Sequence, residues 1–204
     1  MPNSSRVAVA IMAKAPIPGL AKTRLIPSIG AHAAARLQEA MTERTVLMAL
    51  AADIGPVTLW CAPDPSHVSF RDMATSHKIT LKRQPDGDLG KRMLGAFATG
   101  PTLVVGSDCP ALKPEHFEAA AHALRDADVV LVPAEDGGYV LIGTRAAQPE
   151  LFSNMTWGTA TVLAETRTRI STLGLKCIEL PTLWDVDTED DLARLERELP
   201  EMNL

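Results

Sequence analysis

Short apolar runs rich in β-branched residues alternate with amphipathic stretches from near one end of the chain to the other. Val7–Met12 reads as a buried strand, and Ala31–Asp53 as a long helix whose apolar side includes Leu37, Met41, Val46, Met48 and Leu50. Val57–Cys61 is the next strand, Pro65–Ser76 a short helix, Ile79–Arg83 a strand and Leu89–Thr99 an amphipathic helix. Thr102–Val105 reads as a strand that runs into Gly106-Ser107-Asp108, and Pro114 stands where a helix begins, continued by Glu115–Arg125. Asp128–Val132 and Tyr139–Gly143 are strands joined by the turn-rich Pro133-Ala-Glu-Asp-Gly-Gly138. Thr159–Leu173 is helical, Lys176–Leu180 strand-like and Asp187–Leu199 a terminal helix.

This βαβ alternation predicts an α/β fold of three layers, α/β/α, with a mostly parallel sheet covered by helices on both faces. Ligands of such sheets bind outside the carboxyl ends of the strands. The loop after the first strand, Asp108 and the loop near Asp136 therefore fall on one edge. With 204 residues and 46% hydrophobic content, one core suffices and residues 1–204 read as a single domain.

Charge narrows the partners. A net charge of −5 argues against a nucleic-acid surface, which would be basic, so an anionic ligand must be held by local cations. Cys61, Cys109 and Cys177 are scattered and form no Cys-x-x-Cys pair, which suggests neither a disulfide framework nor a zinc site and fits a reducing cytoplasm. The first residues, Met1-Pro-Asn-Ser-Ser-Arg6, lack a secretory pattern, and no uncharged apolar stretch reaches the ~18 residues of a membrane span. Oligomeric state is not legible.

The segment Met12-Ala-Lys-Ala-Pro-Ile-Pro-Gly-Leu-Ala-Lys-Thr-Arg-Leu25 leaves the first strand carrying Lys14, Gly19, Lys22 and Arg24. Glycine admits backbone N–H groups to an anion, and the cations neutralise it, so the loop has the chemistry of a phosphate grip. It also reads as a solvated basic turn. It is not a P-loop, because Pro16 and Ala21 stand where that motif needs glycines, and no G-x-G-x-x-G fingerprint is present.

Two acidic positions could complement the loop. Asp108 follows a buried strand, where one or two carboxylates can hold a hard divalent cation against phosphate oxygens; it also reads as the cap of the Cys109-Pro110 bend. In Trp184-Asp-Val-Asp-Thr188, Asp185 and Asp187 are two apart and can face one side, although Asp187 or Thr188 can also cap the last helix. Asp88-Leu-Gly90, with Lys91 and Arg92 after it, offers polar groups near a nucleotide or acceptor, or reads as a helix entry. Glu135-Asp-Gly-Gly-Tyr139 is glycine-rich and acidic and reads as a tight hairpin-like turn, and Trp157 as an acceptor-pocket wall or a helix anchor.

Taken in order, the basic loop, Gly-Ser-Asp-Cys-Pro, Asp-Gly-Gly-Tyr and the late Asp-Val-Asp-Thr-x-x-Asp-Leu resemble the nucleotide-diphospho-sugar transferase superfamily, with the GT-A-like fold. The resemblance runs from Val7 to Leu192. It is closest to a bacterial glycosyltransferase-like family of undefined reaction, and more distant from phospholactate guanylyltransferases, whose basic loop is similar. It implies that Lys14, Lys22 and Arg24 contact phosphates, that Gly19 permits close approach, and that Asp108 and Asp187 hold Mg²⁺ (or Mn²⁺). Asp136, Gly137 and Gly138 match a loop near the acceptor. Lys22, Arg24 and Asp108 are then the expected catalytic groups, with Asp88 beside the nucleotide and Trp157 beside the acceptor.

The expected function is metal-dependent transfer from a nucleoside triphosphate or nucleotide sugar to a small molecule, with nucleotidyl transfer to a phosphorylated acceptor preferred. Glycosyl transfer and a non-catalytic nucleotide-binding module are the alternatives. The first loop lacks the glycine pair and Pro-Lys ending usual in sugar nucleotidyltransferases, and Asp108 stands alone where many glycosyltransferases have Asp-x-Asp.

Overall fold

A computed structural model describes residues 6–97 and 100–202. Seven strands form one sheet: β1 (Ala8–Lys14), β2 (Val57–Ala62), β3 (Thr80–Arg83), β4 (Thr102–Gly106), β5 (Val129–Pro133), β6 (Tyr139–Thr144) and β7 (Cys177–Glu179). Their order is β3-β2-β1-β4-β6-β5-β7, and all neighbours run parallel except β6, which is antiparallel to both β4 and β5. The expected three-layer, mostly parallel sheet is therefore present. The reversal of β6 brings its first residue, Tyr139, to the edge where β1, β4 and β5 end.

The helices are α1 (Ile26–Ala51), α2 (Val68–His77), α3 (Leu89–Leu94), α4 (Pro114–Ala123), α5 (Pro149–Phe152), α6 (Val162–Thr172) and α7 (Glu189–Glu198). Strand residues alternate between the two faces. Val9 and Ile11 of β1, Leu103 and Val105 of β4, and Val130 and Val132 of β5 pack with Val46 of α1, Phe70 of α2 and Phe117 of α4. Ala10, Val104, Val129 and Leu131 point the other way, against Met93 of α3, Phe152 of α5 and Leu163 of α6. Strands buried on both faces read as continuous apolar runs, which is why β4 and β5 stand out so clearly in the sequence.

Several boundaries move for local reasons. α1 starts at Ile26, with Pro27 in its first turn, and Gly30 (φ 78°, ψ 159°) kinks it where the sequence suggested a beginning. α2 starts three residues beyond the expected Pro65, where His67 accepts the Ser69 N–H. α3 stops at Leu94 and passes into a 3-10 turn, Gly95–Phe97; Ala98 and Thr99 of the expected helix lie outside the described residues, as do Met1–Ser5. α5 was not anticipated, being too short to show periodicity. α7 starts after Thr188, which forms a capping box with Asp191 and leaves the Asp187 side chain free for other work. No helix among the described residues is long and apolar enough to cross a membrane.

Candidate active site

The β1–α1 connection is a compact turn in which the Leu20 and Ala21 N–H groups both donate to the Ile17 carbonyl. Gly19 has φ 86°, a conformation natural to glycine. Lys22 shares the left-handed region (φ 46°, ψ 46°), which costs a non-glycine residue about 1 kcal/mol, and opens the 3-10 turn Thr23–Leu25. Its side chain is tied down. Nζ lies 2.7 Å from Asp108 Oδ1 and 3.3 Å from Asp187 Oδ1, and donates to the Val186 carbonyl at 2.7 Å. Burial pulls the ammonium pKa down, but the Asp108 and Asp187 carboxylates outweigh it and hold the pKa above the ordinary lysine value. Lys22 is a fixed cation.

Arg24 reaches Asp187 Oδ2 at 3.3 Å and remains largely exposed. Lys14 is exposed at the end of β1. Lys14, Lys22 and Arg24 line one depression of about 240 Å³ together with Asp108 and Asp187, so the basic loop and both distant aspartates do converge.

Asp108 is held by its backbone. Its carbonyl accepts the Val186 N–H at 3.0 Å, and the preceding Ser107 accepts a hydrogen bond from buried Gln38 at 3.0 Å. Asp108 Oδ1 is buried against Lys22 while the side chain as a whole is 46% exposed, so its open surface lies on the outer oxygen. Gln38 was not anticipated; its only signal is a polar residue between Leu37 and Met41 on the apolar side of a helix.

Asp185 and Asp187 come from an extended segment that continues the sheet past β5: Leu183 donates to Pro133 and accepts from Glu135, each at 3.0 Å. Alternation then turns Asp185 and Asp187 to the cavity and buries Trp184 and Val186 against α1 and α7. Burial first, then the charges of Asp136 and Asp187, push the Asp185 carboxyl up to about 6. Asp136 accepts the Gly138 N–H at 2.8 Å and also lines the cavity. The neighbouring Gly137 (φ 89°) accepts the Leu163 N–H at 2.9 Å, tying this loop to α6; a side chain there would collide with the Ala160 carbonyl. Glu135 is drawn away by Arg194 at 2.9 Å, whose guanidinium lies over Trp184.

The cavity holds about 360 Å³ between β4, β6, α3 and the start of α6. Met12, Met93, Val104, Tyr139, Trp157 and Val162 contribute its apolar lining, and Asp108, Asp136, Asp185 and Asp187 its carboxylates. Trp157 lines the cavity and also stacks on Phe152, which stacks on Phe97. Gly90 is the seat of that ring: a Cβ would come within 2.8 Å of Trp157 Cζ2. Asp88 takes the helix-entry position. It caps α3 through the Lys91 N–H at 2.9 Å and does not line the cavity, whereas Leu89 and Met93 of that segment do.

The donor set suits a hard divalent cation, being all carboxylate oxygen. Among the described residues no three histidine, cysteine, aspartate or glutamate side chains are gathered closely enough to enclose a metal by themselves. Such a cation would need phosphate oxygens or water to complete its shell.

The family described as "uncharacterized protein conserved in bacteria (DUF2064)" matches residues 45–159. No curated protein matches the sequence. Among solved structures, a provisionally named nucleotide-diphospho-sugar transferase from Desulfovibrio desulfuricans G20 is 29% identical, with a TM-score of 0.86 over 95% of this chain and 87% of that one. A nucleotidyl transferase from Methanothermobacter superposes with a TM-score of 0.66 at 14% identity, covering 98% of this chain and all of that one. CMP:2-keto-3-deoxy-manno-octonic acid synthetase, solved with CTP, gives 0.63 at 13% identity, over 98% of this chain and 100% of that one. These likenesses identify the fold as that of the nucleotide-diphospho-sugar transferases, as the ordered motifs suggested.

Proposed function

Because the chain belongs to the bacterial DUF2064 family and carries the nucleotide-diphospho-sugar transferase fold, we propose that it is a cytoplasmic, nucleotide-utilising transferase dependent on Mg²⁺ or Mn²⁺. The observation that carries this reading is the convergence of Lys14, Lys22 and Arg24 with Asp108 and Asp187 at the carboxyl edge of the sheet. Anionic phosphate and a divalent cation need opposite charges side by side, and this edge supplies both.

In the preferred version the donor is a nucleoside triphosphate. Lys14, Lys22 and Arg24 neutralise its phosphates, and Asp108 and Asp187 hold the divalent cation, which when bound supplies charge stabilisation at phosphate oxygens. The acceptor lies in the adjoining cavity, its body against Trp157 and Tyr139. Its own phosphate faces Arg24, because the carboxylates of the deeper cavity repel a second anion. An anionic nucleophile needs no general base, so positioning and charge neutralisation do most of the work.

Glycosyl transfer is the second reading. It is favoured by Asp136, a carboxylate inside the cavity that can accept a proton from an acceptor hydroxyl. Incubation with Mg²⁺, the common triphosphates and a panel of sugar phosphates tests the choice. Pyrophosphate release supports nucleotidyl transfer; free nucleoside diphosphate from a nucleotide sugar supports the second reading. Nucleotide binding without either product would identify a binding module.

A further inference from the structure

The two carboxylates best placed to hold a divalent cation already hold a lysine. Asp108 Oδ1, Asp187 Oδ1 and the Val186 carbonyl surround Lys22 Nζ at 2.7, 3.3 and 2.7 Å. Val186 and Asp187 accept hydrogen bonds from the ammonium, and Asp108 meets it as an ion pair, so carboxylate and carbonyl oxygens surround the charge. The Lys22 side chain is only 4% exposed. Arg24 lies 3.3 Å from the second oxygen of Asp187, and the outer oxygen of Asp108 is open.

Mg²⁺ binds at about 2.0–2.1 Å and shares its shell between carboxylates and phosphates. Reaching Asp187 would put the ion against the ammonium, and two cations at that distance repel strongly. Lys22 and the metal therefore exclude one another. We propose that Lys22 is a resident substitute for the metal, and that the divalent cation enters only together with a phosphate that draws Lys22 out of the Asp108–Asp187 seat. This rests on the donor reading above.

The loop is arranged for such an exchange. Leu20, Thr23 and Arg24 around Lys22 are exposed, and the depression that Lys14, Lys22 and Arg24 share offers an anion a place directly beside the seat. Phosphate bound there gives the ammonium a new partner and frees the carboxylates in the same step. Metal and nucleotide must then raise each other's affinity by the same factor, since coupling is reciprocal. Without nucleotide, the acidic pair stays neutralised.

Titration with Mn²⁺ alone, read from the electron paramagnetic resonance signal of the free ion, tests the exchange without any turnover. Lys22→Met is expected to bind Mn²⁺ at least tenfold more tightly than the unsubstituted protein. Adding Asp187→Asn should erase the gain, and Lys22→Arg, which keeps a cation, should not show it. Lys22→Gln retains a donor for Val186 and gives the same reading if Lys22→Met does not fold. Equal Mn²⁺ affinity in the unsubstituted protein and the folded neutral variant would overturn the proposal. A separate titration of triphosphates with Mg²⁺ distinguishes the two levels: nucleotide binding with no Mn²⁺ gain leaves the donor reading standing and removes the exchange, whereas a Mn²⁺ gain with no nucleotide binding shows that Lys22 occupies the metal seat but overturns the donor reading and with it the phosphate-driven exchange.

Discussion

The donor side and the cavity side of the proposed site meet at Asp108 and Asp187 and balance their charge differently. On the donor side Lys22 and Arg24 close on the two aspartates, so opposite charges are matched before any ligand arrives. On the cavity side Asp136 and Asp185 act on one another as like charges above an apolar wall, and the ion pairs among the described residues do not reach them. The first side is built from one contiguous loop facing two aspartates; the second is assembled from the ends of β4, β5 and β6 and the loops before α6 and α7. A matched side can be exchanged piece for piece with an ionic ligand. An unmatched side stays electrostatically strained until a cation or a hydroxyl-rich ligand enters.

The largest effect that would break this contrast belongs to Lys22. Lys22→Met should lower kcat/KM about 10³-fold, roughly 4 kcal/mol of transition-state stabilisation, while tightening metal binding. A variant that loses both together would show that Lys22 only supports the fold. Trp157→Ala should raise the acceptor KM about tenfold and leave donor affinity within a factor of about two, because it removes stacking area from the cavity side alone; steady-state kinetics with each substrate varied decides this.

Asp185 gives a smaller effect with a definite sign. Its carboxyl is raised to about 6, so the native state binds a proton more tightly than the unfolded chain. Its cost to stability appears as pH rises through the range from about 4 to 6 and is complete above that range. In chelator, Asp185→Asn should be about 1–2 kcal/mol more stable than the unsubstituted protein at pH 7.5, since solvent reaching the half-buried carboxyl screens part of the effect, with no difference below about pH 4. Urea melts at the two pH values measure it. Thr188→Ala should cost about 1 kcal/mol through loss of the α7 cap and leave Mn²⁺ affinity unchanged, confirming that capping and site chemistry are divided between Thr188 and Asp187.

How much could be read without the fold follows the same division. Buried strands declared themselves as apolar runs, and the basic loop and Asp108 were visible because each sits at a strand end with a turn signal beside it. Asp185 and Asp187 were legible as a two-residue alternation. What the sequence hid was contact over long separations: nothing local shows that Lys22 lies on Asp187, 165 residues away, rather than on solvent or a ligand. Asp88 carried two readings because an N-cap and a ligand-binding aspartate have the same local pattern, Asp followed by a helix, and the fold shows the cap. Gly90 was noticed as part of that polar turn, yet its role is steric, under Trp157. The reversal of β6, which carries Tyr139 to the edge where β1, β4 and β5 end, leaves no mark in strand composition at all.

Thermal denaturation with a panel of nucleoside triphosphates and nucleotide sugars, each with and without Mg²⁺, reaches the heart of the reading. A ligand at a hundredfold excess over its Kd stabilises the native state by about 2.7 kcal/mol, which in a chain of this size raises Tm by about 5–10 °C. One nucleotide class should give that shift with Mg²⁺, a much smaller one without it, and none in Asp108→Asn. The absence of a shift with every nucleotide, or an equal shift in Asp108→Asn, would contradict a metal-assisted donor site at this edge.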